Sequence, residues 1–300
     1  MDIDEYQSQA VMTEQKPKVE SGSDVVPLLG LASETGELLN EYKKYLRDGS
    51  AHERFRERLR EEPGDVLWYL ADSAARFNLR LSEVANANLE KVRERWACRD
   101  DDGHPTLYGK ARVFDEGYPA EERLPRRFVA KFFERSEGGR LHVRVTVSGR
   151  QMGQELDDNV READGYRFHD VFHLACAAVL GWSPVTRRNL KCKRRSIDAI
   201  DRNEDGGRAT VVEEGISALV FAYAEDHARM KGVISVDYDL LKAIKTMTAK
   251  FEVSVCTTGE WEKTILLAYS IWRLVEDHLG GSVVVDLDAR SLSFTPPQPG

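Results

Sequence analysis

Apolar residues recur at helical intervals through most of the first hundred positions, and the breaks between these runs fall at turn-forming residues. Leu28, Leu31 and Leu38 belong to a helix expected from Val26 to about Arg47, stopped by Asp48-Gly-Ser50 with Gly49 as its C-cap. A second helix starts near Ala51 and runs to about Phe77, carrying Val66, Leu67, Tyr69 and Leu70. Pro63 either opens a fresh helix after Glu61-Glu62 or kinks a continuous one. After the turn at Asn78-Leu-Arg-Leu81, Ser82 is expected to cap a third helix with Val84, Ala85, Asn88, Leu89, Val92 and Trp96 on one stripe. Residues 1–23 are polar and form one short helix (Asp4 to Thr13) or stay mobile. Short links between antiparallel helices predict an α-helical bundle, which can hold carboxylates from facing helices in its core.

The pattern changes at Arg99. From there to Arg127 the chain carries Asp100-Asp-Asp-Gly103, three prolines and little periodicity, and is expected to be a linker or an irregular surface wrap. Phe128–Phe133 and Leu141–Val147, joined by Ser-Glu-Gly-Gly, alternate as the strands of a hairpin. A second helical block begins near Arg167 with a strongly apolar helix from Phe168 to Gly181. A basic run, Arg187 to Arg195, and an acidic glycine-bearing loop, Asp198 to Gly207, precede helices over Arg208–Met230, Tyr238–Phe251 and Gly259–Leu279. Ser282–Asp288 and Ser291–Phe294 can join the hairpin in a small antiparallel sheet. The expected fold class is therefore mainly α. It divides into a polar segment at 1–23, a helical bundle at 24–98, a linker at 99–127, and a second helical block with a small antiparallel β-sheet at 128–300.

Composition narrows the function classes. A formal charge of −8 argues against a general nucleic-acid binder, which would carry a basic surface. Cys98, Cys176, Cys192 and Cys256 are scattered without a Cys-x-x-Cys pair, as expected of ordinary thiols in a reducing compartment. The acidic, polar N-terminus is not expected to act as a signal peptide, and no apolar run approaches membrane-spanning length. A soluble, cytoplasmic protein with no membrane partner is expected.

The candidate chemistry lies in two short carboxylate pairs, Glu34 with Glu37 and Glu62 with Asp65. Residues three apart on a helix share a face, so each pair aims two carboxylates at one spot, beside apolar positions that seek burial. A lone Glu-x-x-Glu is usually a solvated face; two pairs at matched spacing point to a shared cation, because four acids brought together would otherwise repel. A hard divalent ion with oxygen ligands is expected, most simply magnesium.

With these motifs in place a family comes into view. Gly30-Leu-Ala-Ser-Glu-Thr-Gly-Glu-Leu38, then Glu61-Glu-Pro-Gly-Asp-Val-Leu-Trp-Tyr-Leu-Ala71, then Asn88-Leu-Glu-Lys-Val-Arg-Glu-Arg95 resembles the MazG-like all-α nucleoside triphosphate pyrophosphohydrolases over roughly residues 24–98. The one departure is Pro63, where the family more often has Leu. The resemblance implies cleavage of a nucleoside triphosphate between its α and β phosphates, with Glu34, Glu37, Glu62 and Asp65 on Mg2+ and Mn2+ as a substitute. It further implies Glu61, or the ligating Glu37 or Glu62, orienting or deprotonating water; Lys91 and Arg95 facing phosphates; Asn88 on the nucleotide; and Trp68 or Tyr69 stacking a base, although core packing also suits these rings. Such bundles assemble from two or more copies, so a homo-oligomer is implied as well.

The second block echoes the first. Arg208-Ala-Thr-Val-Val-Glu-Glu-Gly-Ile-Ser217 parallels the Glu61 motif with Ser217 in place of Asp65, His169-Asp-x-x-His173 falls where Glu34-x-x-Glu37 would, and Lys245 lies on a helix like that of Lys91. A degenerate internal duplication is one expectation. Another is a second metal at His169, Asp170, His173, Glu213 and Glu214, since histidines at i and i+4 share a helix face; packing inside the second block is the alternative. The basic run is expected to be a solvated face answering the acidic loop at 201–205. Beside the pyrophosphohydrolase stand a nucleotide sensor without turnover and a separate metal phosphohydrolase in the second block.

Overall fold

The computed structural model describes residues 1–14, 25–96 (side chains to 93), 111–160 and 162–297. The chain divides into two compact units, Met1–Arg93 and Glu94–Gly300.

Helices α1 (Ile3–Met12), α2 (Val26–Asp48), α3 (Phe55–Arg76) and α4 (Leu81–Trp96) run through the first unit. Gly49 ends α2 at φ 56°, and a single 3-10 turn over Gly49–Ala51 leads toward α3. α3 is continuous through Pro63. α2 and α3 approach closely where Gly30 faces Tyr69: a Cβ on Gly30 would lie 2.1 Å from the tyrosine ring, so only glycine fits one turn before Glu34.

α4 begins at Leu81, so Ser82 lies inside its first turn and does not cap it. The cap comes from α1. Gln7 accepts from the Leu81 amide at 3.0 Å and donates to the Leu79 carbonyl at 2.9 Å. Asp4 accepts from the Ser82 amide at 3.0 Å and from its hydroxyl at 2.7 Å. These side chains satisfy donors that a helix start leaves orphaned, and they dock α1 by polar contacts beside a small core of Ala10, Ala71, Ala74 and Leu81.

In the second unit the hairpin is β1 (Arg127–Glu137) and β2 (Arg140–Val147), turning at Gly138-Gly139. Strands β3 (Arg150–Gln151), β4 (Gly280–Asp286) and β5 (Ser291–Thr295) complete an antiparallel sheet in the order β3-β2-β1-β4-β5. The C-terminal strands thus join the hairpin, with Ala130 opposite Val283 and Phe132 opposite Val145. Alternate residues, Ala130, Phe132, Val143, Val145, Val283 and Val285, are buried in the unit's core.

α5 (Asp170–Ala175) continues into a π-helical turn at Cys176–Leu180 and ends at Gly181, whose φ is 69°. A Cβ there would lie 2.3 Å from the Arg112 carbonyl oxygen, so both the left-handed backbone and the close approach demand glycine. Next come α6 (Pro184–Leu190) and α7 (Asp198–Asn203), the latter a short helix inside the expected acidic loop. α8 spans Gly207–Glu225, where one helix to Met230 was expected; a separate turn at Ala228–Met230 with positive φ follows it. α9 (Tyr238–Thr248) precedes α10 (Thr258–Asp277), which a Thr257–Glu260 capping box starts. Trp261, Ile265, Ala268 and Trp272 of α10 join the same core.

The basic run is a solvated face only in part: Arg188, Lys191 and Arg195 are exposed and Lys193 answers Asp201 of the acidic loop at 2.7 Å, but two members turn inward. Arg187 and Arg194 are buried: Arg194 pairs with Asp205 at 2.7 Å and Glu252 at 2.6 Å, and Arg187 with Asp115 at 2.6 Å. Carboxylates within bonding distance make these buried guanidiniums tolerable; Asp115 and Glu252 come from distant stretches of chain, and Asp205 from the acidic loop that follows the run. Asp115 and Leu124 show that the described part of 99–127 contributes to the second unit's interior. Among the described residues no helix is long and apolar enough to cross a membrane.

Gln7→Ala should speed hydrogen exchange of the Leu81 amide on the order of 10-fold, the worth of a buried hydrogen bond removed from one side. Acid should act on the neighbouring contact. Ser82 and Arg80 hold the Asp4 carboxyl below the usual carboxylate range, so its contribution is full above about pH 4 and is lost as pH falls through the folded value. Ser82 amide protection should fall on acidification in the wild type and stay flat in Asp4→Asn.

Candidate functional site

α2 and α3 bring three acids together. Ligand oxygens of Glu34, Glu62 and Asp65 lie within 4.8 Å of one another. Glu34 and Glu62 are half-buried and Asp65 is exposed, so the cluster sits at the surface edge of the helix pair. Burial pushes the Glu62 carboxyl up, and the neighbouring charges of Asp65 and Glu61 push it further. The donor set is all oxygen and carries a surplus of negative charge, which fits a hard divalent cation.

The remaining predicted residues divide. Glu37 stands outside the three-acid cluster; it is exposed and faces the Asn40 amide at 3.4 Å. Glu61 is exposed and pairs with Arg58 at 2.7 Å. Asn88 and Lys91 are exposed on α4, three residues apart on one face. The Arg95 side chain lies outside the described residues. Trp68 packs on the small core beneath α1, edge-on to Tyr69, and its indole N–H donates to the Thr13 hydroxyl at 2.8 Å. That contact gives the ring a packing role in this conformation.

Glu41 with its partners Lys44 and His52, and Tyr6, join this neighbourhood. Glu41, two turns after Glu34 on the same stripe, is buried, accepts from Lys44 and meets His52 Nε2 at 2.9 Å. Lys44, then His52, outweigh burial and hold its carboxyl below the usual range, while its charge adds to the upward push on Glu62. Tyr6 of α1 is desolvated beside Asp65, and both effects raise its phenol. The seven-residue spacing from Glu34 could have flagged Glu41. Nothing along the chain announces Tyr6, because a long-range contact brings it there.

The second unit gathers another cluster. His169, Asp170 and His173 place one ligand atom each within 4.8 Å of the others. From α8, Glu213 Oε1 meets His173 Nδ1 at 2.9 Å, and Glu214 Oε2 meets His173 Nε2 at 3.2 Å and His169 Nε2 at 3.7 Å. Glu213 also accepts from the Val185 amide at 2.8 Å and the Ser183 hydroxyl at 2.7 Å. Burial opposes charge on His173, but Glu213 and Glu214 outweigh it and raise its pKa to about 10. Burial pushes the Asp170 carboxyl up against the pull of His169 and His173. Tyr166 stacks on His169, and a small cavity lined by His169, Phe172, Ser217, Phe221, Tyr269 and Trp272 adjoins the cluster.

Comparison with known proteins places these features. Residues 27–97 match the MazG nucleotide pyrophosphohydrolase domain, and residues 109–298 match the MazG C-terminal domain. The two helical blocks thus match two different domain models. The gene 37 protein of Mycobacterium phage L5 is 42% identical over 69 residues, which cover 22% of this chain and 60% of the phage protein. No solved structure matches the chain. The C-terminal match alone spans well over half of the 300 residues, and the carboxylate cluster of α2 and α3 falls within the N-terminal one: the chain belongs to the MazG family, a MazG nucleotide pyrophosphohydrolase domain followed by a MazG C-terminal domain.

Proposed function

We propose that the N-terminal unit hydrolyses a nucleoside triphosphate between its α and β phosphates, giving the monophosphate and pyrophosphate with a divalent metal ion. The observation that carries this reading is the convergence of Glu34, Glu62 and Asp65 within the stretch that matches the pyrophosphohydrolase domain. Magnesium suits the all-oxygen donor set, and manganese accepts the same ligands. When bound, the ion polarises phosphoryl oxygens, makes water a better nucleophile and neutralises charge on the leaving pyrophosphate.

Glu34, Glu62 and Asp65 are the ligands in this proposal, and Glu37 completes the set by turning its exposed side chain inward. Glu61, or the ligating Glu37 or Glu62, orients the attacking water and takes its proton. The water oxygen bonds to the α phosphorus as the bond from that phosphorus to the bridging oxygen breaks. Lys91 and Arg95 meet the phosphates, Asn88 meets the nucleotide, and Trp68 borders the base. Exposed Val84, Leu89 and Val92 along α4 support assembly of two copies through that helix. A second reading, nucleotide binding without turnover, draws on the position of Glu37 outside the cluster.

Pyrophosphate release from a panel of ribo- and deoxyribonucleoside triphosphates, with and without magnesium, separates the two. Metal-dependent release is expected, with kcat falling at least about 100-fold in Glu62→Gln. Nucleotide binding without release would establish the second reading. Removing charge from the cluster should also stabilise the metal-free protein: Asp65→Asn should raise its melting temperature by roughly 1–3 °C. Magnesium, which should stabilise the wild type, should then have little effect on the variant.

A further inference from the structure

We infer that the MazG C-terminal domain holds a transition-metal ion of its own, bound by His169 Nε2, His173 Nε2, Asp170 and Glu214. The hydrogen bonds on the far side of each imidazole carry the argument. His169 Nδ1 lies 2.8 Å from the Tyr166 carbonyl oxygen, which can only accept, so Nδ1 carries the hydrogen. His173 Nδ1 lies 2.9 Å from Glu213, which already accepts from Ser183 and the Val185 amide, so there too Nδ1 is the donor. In the metal-free protein His173 Nε2 faces the Glu214 carboxylate, which can only accept, so it carries a proton; a metal would displace that proton, and both Nε2 atoms would then offer it their lone pairs. This is the outer-shell arrangement that orients metal-binding histidines, one backed by a carboxylate and the other by a backbone carbonyl.

Both Nε2 atoms face one carboxylate oxygen, Glu214 Oε2, at 3.2 and 3.7 Å. Those separations resemble the spacing between neighbouring ligands around an ion bound at about 2.0–2.2 Å. Asp170 adds the independent observation. It is only 3% exposed, sits within ligand distance of both histidines, and receives no hydrogen bond among the described residues. A buried carboxylate without a donor is costly, and a cation at this position would satisfy it.

His169 closes the 3-10 turn Tyr166–Phe168 and α5 starts at the next residue, so three of the four ligands come from adjoining turns. A π-helical turn follows at Cys176–Leu180, a distortion that recurs near functional sites. Glu214 reaches in from α8, its outer oxygen 3.4 Å from the Arg188 guanidinium, and it is the most exposed of the four, which leaves that side open to water or a ligand. Two imidazoles and two carboxylates form a neutral complex with a divalent ion. The mixed nitrogen and oxygen donors select zinc, or iron(II) or manganese, over magnesium and calcium.

The test uses the full-length protein stripped with a chelator and titrated with zinc, and separately with cobalt, in millimolar magnesium. One tightly held zinc per chain is expected, with visible d–d absorption in the cobalt form. His169→Ala and Asp170→Asn should each weaken zinc binding at least about 10-fold while retaining wild-type circular dichroism. Glu62→Gln, in the other unit, should bind zinc as the wild type does. X-ray absorption of the wild-type zinc form should show imidazole scattering with nitrogen or oxygen at about 2.0–2.1 Å, which keeps the test decisive if a variant misfolds. Zinc binding unchanged in folded His169→Ala, lost in Glu62→Gln, absent from the wild type, or lacking imidazole scattering would overturn the assignment.

Discussion

Carboxylates that share a small space repel unless a cation or strong donors join them, and both units are arranged around that constraint. In the first, Glu34, Glu62 and Asp65 converge where α2 and α3 face each other, with the charge of Glu41 adding to the load on Glu62. In the second, Asp170 and Glu214 converge on two histidines whose outer nitrogens are already committed. The donor chemistry differs in kind. Oxygen alone surrounds the first cluster, as a hard ion that works beside phosphates prefers; nitrogen enters the second, as a transition ion prefers.

The same constraint is met without metal elsewhere in the second unit. Arg194 lies between Asp205 and Glu252, and Arg187 beside Asp115. Arg112 and Arg290 share Glu260, which also serves the capping box that starts α10. These guanidiniums tie segments from residue 112 to residue 290 into one interior. They make removal of a single partner more damaging than the weak average worth of an ion pair suggests, because the charge left behind would be buried.

The first unit is lighter. Its small core is supplemented by Gln7 and Asp4, which hold α1 against the start of α4 by capping orphan amides. Because α1 also carries Tyr6 to the side of Asp65, the docking of a polar N-terminal helix bears on the electrostatics of the candidate active site.

Periodicity and motif spacing were enough to place the main helices, the hairpin, the C-terminal strands and the pairing of Glu62 with Asp65, because each depends on neighbours along the chain. They also singled out His169, Asp170 and His173, whose spacing sets them on adjoining turns. Other features depend on partners far away in sequence. Spacing assigned the start of α4 to Ser82, where side chains from α1 provide the cap instead. It read Arg187 and Arg194 as part of a solvated face answering the acidic loop; Arg194 does meet Asp205 of that loop, but the burial of both guanidiniums also depends on Asp115 and Glu252, which lie far away along the chain. It placed Glu37 with Glu34 because both lie on one helix face, yet meeting Glu62 and Asp65 depends on how α2 is turned toward α3. That rotation exists only once the helices have packed, with Gly30 close against Tyr69.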